Sequence, residues 1–159
     1  MQVKSIGEGT TRRIGYHLGK IAPPGTVLAL SGELGAGKTV FAQGVGAGLG
    51  VKEMVNSPSY VLMNLYRGRL EFYHFDFYRL SEEEELLELG LEEYFYGEGL
   101  TLIEWADRFP HVLPTTRLEV EIRKDYRDVE RSRLLIFQPR GELDSYFLEG
   151  LSKIASFGA

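Results

Sequence analysis

The chain has 159 residues, 43% of them hydrophobic, a length that fits one domain spanning residues 1–159 around one core. A formal charge of -5 and a pI near 5.3 exclude a broad basic surface for nucleic acid, leaving at most a local patch for RNA within a complex. The absence of cysteine excludes disulfides, thiolate metal sites and thiol catalysis, and is compatible with a reducing compartment. The opening MQVKSIGEGTTRR lacks the apolar stretch of a signal peptide, and no apolar run approaches the roughly 20 residues of a membrane helix. These features predict a soluble, cytoplasmic protein.

In chain order, residues 10–21 form the first predicted helix, with Ile14, Leu18 and Ile21 on one apolar face. Pro23, Pro24 and Gly25 break it. Residues 26–30, Thr-Val-Leu-Ala-Leu, read as a short buried strand, and a glycine-rich loop follows directly. A second helix over 39–49 carries Phe41, Val45 and Leu49; Gly44, Gly46 and Gly48 each weaken it by about 1 kcal/mol relative to alanine. Extended segments at 59–66 and 70–78 flank an Arg67-Gly68-Arg69 turn. Ser81 followed by Glu84 has the spacing of a capping box and opens a predicted helix towards Leu89. Another strand covers 100–105; 117–124 and 131–137 alternate apolar and charged residues like a strand pair with one wet face. A last amphipathic helix is expected over 143–155. Interleaved strands and helices followed by a hairpin predict an α/β fold, a mixed sheet flanked by helices.

The loop Gly32-Glu33-Leu34-Gly35-Ala36-Gly37-Lys38-Thr39 matches G-x-x-x-x-G-K-[ST] in full. Glycines let the backbone turn tightly, so that successive N–H groups converge on a phosphate at a helix N-terminus. Lys38 would reach the β- and γ-phosphates, and the Thr39 hydroxyl would complete magnesium coordination. An apolar strand before the motif and a helix after it are the context that a phosphate loop requires.

Such an enzyme also needs an acid at the end of a neighbouring strand. Residues 100–104, Leu-Thr-Leu-Ile-Glu, supply Glu104; the alternative is a solvated strand end. In His74-Phe75-Asp76-Phe77-Tyr78-Arg79, His74 and Asp76 share one strand face. If that strand runs parallel to the loop's strand, Asp76 lies at its carboxyl end, placed to orient or deprotonate a water. Its alternative is a structural ion pair with a basic residue such as Arg79, and His74 reads equally as a structural histidine. Ser57-Pro58-Ser59 stands where nucleotide hydrolases respond to the γ-phosphate, although alone it is a turn. The acidic run 82–85 reads as a solvated helix start.

Taken together, GELGAGKT at 32–39, SPSY at 57–60, HFDFYRL at 74–80, IEWAD at 103–107 and the early Thr11-Arg12-Arg13-Ile14-Gly15 resemble the TsaE family, also known as YjeE. The resemblance spans residues 8–138. It implies a bacterial ATPase needed for threonylcarbamoyl-adenosine beside the tRNA anticodon. Such an ATPase acts on a TsaB–TsaD complex, with tRNA met indirectly or through that complex and direct contact left open. It also implies ATP and magnesium as ligands, with Lys38 on phosphate, Thr39 and Glu104 on the metal, and Asp76 serving hydrolysis. Glu8 and Thr11 would lie near the adenine, and Trp105 beside the nucleotide. Glu33, Leu34, Gly35, Ala36, Gly37 and Val40 would complete the contacts. Two positions depart from the family pattern: Ser59 stands for the usual Thr, and Val40 lacks a hydroxyl that often reaches the α-phosphate.

Two rival classes stay open at this level. A small-molecule P-loop kinase needs an acceptor pocket and a water-excluding lid, for which the chain has little material. A nucleotide-dependent assembly factor with negligible hydrolysis would use the same binding residues. A GTPase is disfavoured, because no N-K-x-D segment follows the loop.

Overall fold

The structure, a computed structural model, describes residues 1–58, 61–128 and 131–157. Strands are β1 (Gln2–Ser5), β2 (Val27–Ser31), β3 (Met63–Arg67), β4 (Glu71–Asp76), β5 (Leu100–Glu104), β6 (Arg117–Lys124) and β7 (Arg133–Arg140). Helices are α1 (Glu8–Ile21), α2 (Lys38–Gly48), α3 (Glu84–Leu87), α4 (Leu91–Phe95) and α5 (Ser145–Ile154), with 3-10 turns at Ala106–Arg108, Pro110–Val112 and Ala155–Phe157.

All seven strands form one mixed sheet in the order β1-β7-β6-β2-β5-β4-β3. β2 is parallel to both neighbours, β5 and β6, and β4 is parallel to β5. The remaining pairs, β3–β4, β6–β7 and β1–β7, are antiparallel. β4 therefore runs in the direction of β2, the condition on which the reading of Asp76 rested. Asp76 pairs in register with Glu104, so the two acids end adjacent strands side by side. Among the described residues, no helix is long and apolar enough to cross a membrane.

Period-2 alternation assigns the central strands to two cores. Leu28 and Leu30 of β2 join Phe72, Leu100 and Leu102 beneath α1, α2 and α5, where Ile14, Leu18, Phe41, Val45 and Phe147 pack. Val27 and Ala29 join Phe75, Phe77 and Ile103 on the other face, closed by Leu86, Leu91 and Phe95. Ile21, expected on the apolar face of its helix, is 39% exposed. At the other end of the chain, Asp144 caps α5 by accepting the backbone N–H of Phe147 at 2.9 Å.

Several local expectations change. The segment over 59–66 shortens to β3, and Ser59 and Tyr60 lie outside the described residues. The capping box does not form: the Ser81 hydroxyl bonds the Glu85 carboxylate at 3.1 Å, and α3 is a single turn, because both side chains satisfy each other rather than backbone N–H groups. β1 and α4 are additional elements, the first an edge strand on β7 and the second a short helix led by Gly90 in the left-handed region.

The glycines of α2 find their reason here. A Cβ at Gly44 would collide with the carbonyl of Arg12, and one at Gly48 with the carbonyl of Tyr16. Gly15 and Gly19 of α1 make the reciprocal approach to Phe41 and Val45. Two helix backbones thus touch without intervening side chains. We expect Gly44→Ala to lower stability by about 1–3 kcal/mol from overpacking, despite alanine's helix propensity. Urea unfolding checks this, and a variant as stable as the parent would refute the backbone contact.

Candidate nucleotide site

The carboxyl ends of β2, β5 and β4 open into a cavity of about 620 Å³. Ligands gather at such ends in parallel α/β sheets. Between β2 and α2 the loop reverses direction through Gly35 and Gly37, whose φ values of 76° and 113° lie in the left-handed region that favours glycine. Gly37 is the N-cap of α2, so Lys38 and Thr39 begin the helix with its positive dipole end facing the cavity.

Lys38 is only 5% exposed. Its ammonium donates to the carbonyls of Gly32 at 2.6 Å and Glu33 at 2.9 Å, and lies 3.9 Å from the centre of the Trp105 ring. Burial pushes its pKa below 10.5, partly offset by the negative charges of Glu104, Asp107, Asp76 and Glu33. Trp105 follows the last residue of β5 and is left-handed at φ 59°, a conformation that costs a bulky residue about 1–2 kcal/mol. That turn lays the indole between Lys38 and Tyr78, whose ring centre is 4.9 Å away. Arg108 then donates to the carbonyls of Tyr78 and Leu80, both at 2.8 Å, fixing the segment after β4.

Glu104 is 3% exposed and so is not a solvated strand end. The Thr39 hydroxyl donates to its Oε1 at 3.0 Å, with Oε2 at 3.3 Å. His74 Nε2 lies 2.6 Å from Oε2. Asp76 accepts from the Ser57 hydroxyl at 2.8 Å and from the Tyr78 N–H at 2.9 Å. The Ser57 contact gives Ser57-Pro58 a specific link to a carboxylate. Thr39, Glu104 and Asp76 bring side-chain oxygens to the cavity, and the nearby imidazole nitrogen of His74 is engaged by Glu104. Among the described residues, no three His, Asp or Glu side chains gather to hold a metal by themselves. This donor set fits magnesium, which takes one or two protein oxygens and fills the rest of its shell with water and phosphate.

Of the residues singled out from sequence, Glu8, Leu34, Gly35, Gly37, Lys38, Thr39, Val40, Asp76, Glu104 and Trp105 line this cavity. A neighbouring hollow of about 400 Å³ collects Glu8, Thr11, Gly35, Ala36, Gly37 and Val40 with Arg131 and Arg133. Thr11 is buried there against the Ser5 hydroxyl at 2.7 Å. Glu33 lines neither space; its carboxylate accepts from the Tyr126 hydroxyl at 3.4 Å. Sequence reasoning missed Arg133, which donates to the carbonyls of Ala36 at 2.9 Å and Gly35 at 3.4 Å. No local signal marks it, since it reaches the loop from 97 residues away in the chain.

The lowered pKa of Lys38 has a testable consequence. The folded chain sheds this proton before the unfolded chain does, so between the lowered value and 10.5 unfolding takes up a proton and stability rises with pH. Relative to Lys38→Met, the parent should gain stability as pH climbs through that window. Denaturant unfolding across alkaline pH tests it; a flat or falling difference would contradict the burial argument.

Comparison with known proteins agrees with this fold. The family model described as "Threonylcarbamoyl adenosine biosynthesis protein TsaE" matches residues 6–133. The tRNA threonylcarbamoyladenosine biosynthesis protein TsaE of Bacillus subtilis is 38% identical over 151 residues, covering 94% of this chain and 92% of that protein. The protein of the same name from Treponema pallidum is 40% identical, covering 77% of this chain and 91% of its own. The crystal structure of Bacillus subtilis YdiB superposes with a TM-score of 0.82 at 33% identity, covering 96% of this chain and 94% of that one. On the match of the family model and on relatives at this identity and coverage, the chain belongs to the TsaE family.

Proposed function

We propose that this protein binds ATP with magnesium at the head of α2 and hydrolyses it to ADP and phosphate. We further propose that it does so in the cytoplasm, acting on a TsaB–TsaD complex that forms threonylcarbamoyl-adenosine on tRNA. The pathway follows from the names of its relatives. The observation that carries the chemistry is the meeting of Lys38, Thr39, Asp76 and Glu104 on one cavity of about 620 Å³.

In this reading the N–H groups at the start of α2 hold the β-phosphate, and the Lys38 ammonium turns from the Gly32 and Glu33 carbonyls towards the γ-phosphate. Thr39 and Glu104 would hold magnesium, which when bound supplies positive charge against the phosphate oxygens. Asp76, oriented by Ser57 and the Tyr78 N–H, positions a water and accepts its proton. The water oxygen bonds to the γ-phosphorus as the bond to the β–γ bridging oxygen breaks, and the electron pair leaves with ADP. Glu8 and Thr11 frame the adjoining hollow, of a size for the nucleoside part. No arginine finger is assigned, so turnover by the chain alone should be slow.

The test is phosphate release from ATP by the purified chain with magnesium, alone and with TsaB–TsaD. Slow release that changes on adding the complex is expected. A phosphorylated small molecule in place of free phosphate would instead establish a kinase, and ATP binding without release in either condition an assembly factor. Asp76→Ala should keep ATP affinity and lose about 10²-fold or more in turnover. Normal turnover would return Asp76 to a structural role.

A further inference from the structure

His74 carries the imidazole of the HFDFYRL segment, and the reaction above gives it no task. It is fully buried, at 0% exposure, on β4 two residues before Asp76. Its ring lies parallel to that of Phe72, with centres 5.9 Å apart and planes 4° apart, so its orientation is fixed. The strand register pairs His74 with Leu102 and Asp76 with Glu104. The bond from His74 to Glu104 therefore runs diagonally across the parallel pair. Its two nitrogens have different surroundings. Nε2 is 2.6 Å from Glu104 Oε2, while Nδ1 is buried with no hydrogen-bond partner.

That asymmetry selects one form of the ring. A doubly protonated imidazole would bury a charged N–H facing nothing, the most expensive kind of orphan donor. A ring protonated only on Nδ1 would also bury an unpaired N–H, and would turn the Nε2 lone pair towards the carboxylate. With the proton on Nε2, a neutral ring gives Oε2 a charge-assisted hydrogen bond and leaves only an Nδ1 lone pair unmet. This form has the smallest desolvation cost.

We infer that His74 is a positioning residue for Glu104: a neutral imidazole whose Nε2–H holds Oε2 and so fixes the plane of the carboxylate. Oε1, the oxygen 3.0 Å from the Thr39 hydroxyl, is thereby left as the one turned to the metal shell. A glutamate side chain free in several rotamers would have to be ordered each time a cation arrived. His74 orders it in advance, and partners of this kind commonly govern metal affinity by 10–100-fold, on the order seen when they are removed. The role in metal binding rests on the ATP–magnesium reading above; the assignment of the proton does not.

Two measurements separate them. Nitrogen-15 NMR of the chain without nucleotide or metal should show His74 neutral and protonated on Nε2; a proton on Nδ1, alone or in addition, overturns the inference. Magnesium titration of binding of a fluorescent ATP analogue then compares the parent with His74→Phe and His74→Gln. The phenylalanine variant should need about 10–100-fold more magnesium for half-saturation, with affinity in EDTA unchanged. Glutamine, whose amide N–H reaches the same oxygen, should restore most of the difference. Equal titrations for parent and His74→Phe, an equal loss in EDTA, or no rescue by glutamine would each overturn it. Should His74→Phe not fold, His74→Asn, with an amide too short for Oε2, takes its place. If the parent itself fails to bind the analogue, the proposed function falls, and the NMR result still decides the state of His74.

Discussion

A carboxylate 3% exposed at the end of a central strand is the constraint around which this molecule is arranged. An isolated buried charge is too costly to keep, so Glu104 must find partners, and they come from different elements. Thr39 is delivered by the first turn of α2 and His74 by the neighbouring strand β4. Parallel registration also places Asp76 directly beside Glu104, and two adjacent carboxylates disfavour each other's charge. Separate partners answer that conflict. Asp76 is held by Ser57 and a backbone N–H, Glu104 by a hydroxyl and an imidazole. Lys38 supplies the compensating positive charge, and four acids in turn offset the desolvation that its own burial imposes.

The same lysine is joined to a distant part of the fold. Its ammonium faces Trp105, Trp105 meets Tyr78, and the carbonyl of Tyr78 is held by Arg108. This line of contacts runs from the phosphate loop to the segment that leaves β4 just after Asp76.

What the amino-acid sequence disclosed follows from range. The loop 32–39 is legible because its glycines and its lysine act within eight consecutive positions and their spacing is the mechanism. The buried strand before it, the helix after it and the mixed α/β sheet are legible for the same reason, as local periodicity. Asp76 and Glu104 could be proposed but not joined, since their adjacency depends on strand register. The glycines of α2 look like faults until the carbonyls of Arg12 and Tyr16 are seen against them. Arg133 and the partner of His74 lie 97 and 30 residues from what they bond, beyond any local pattern. The spacing at Ser81 misled because a serine and a glutamate can satisfy each other as readily as they satisfy a helix end.

The backbone contact between α1 and α2 has a mechanical meaning. Side chains packed against side chains can yield by changing rotamer, but main chain against main chain cannot. α1 opens with Glu8 at the adjoining hollow and α2 opens with Lys38 at the cavity, so the two helices act as a single rigid block carrying both ends of the site. The opposite wall is built differently, from Tyr78, Arg79 and Leu80, the single turn of α3 and side-chain links such as that of Arg108. The cleft thus resembles a vice with one fixed jaw. Its other jaw is the stretch following Asp76, joined to the rest of the fold by side-chain contacts rather than by main chain packed on main chain.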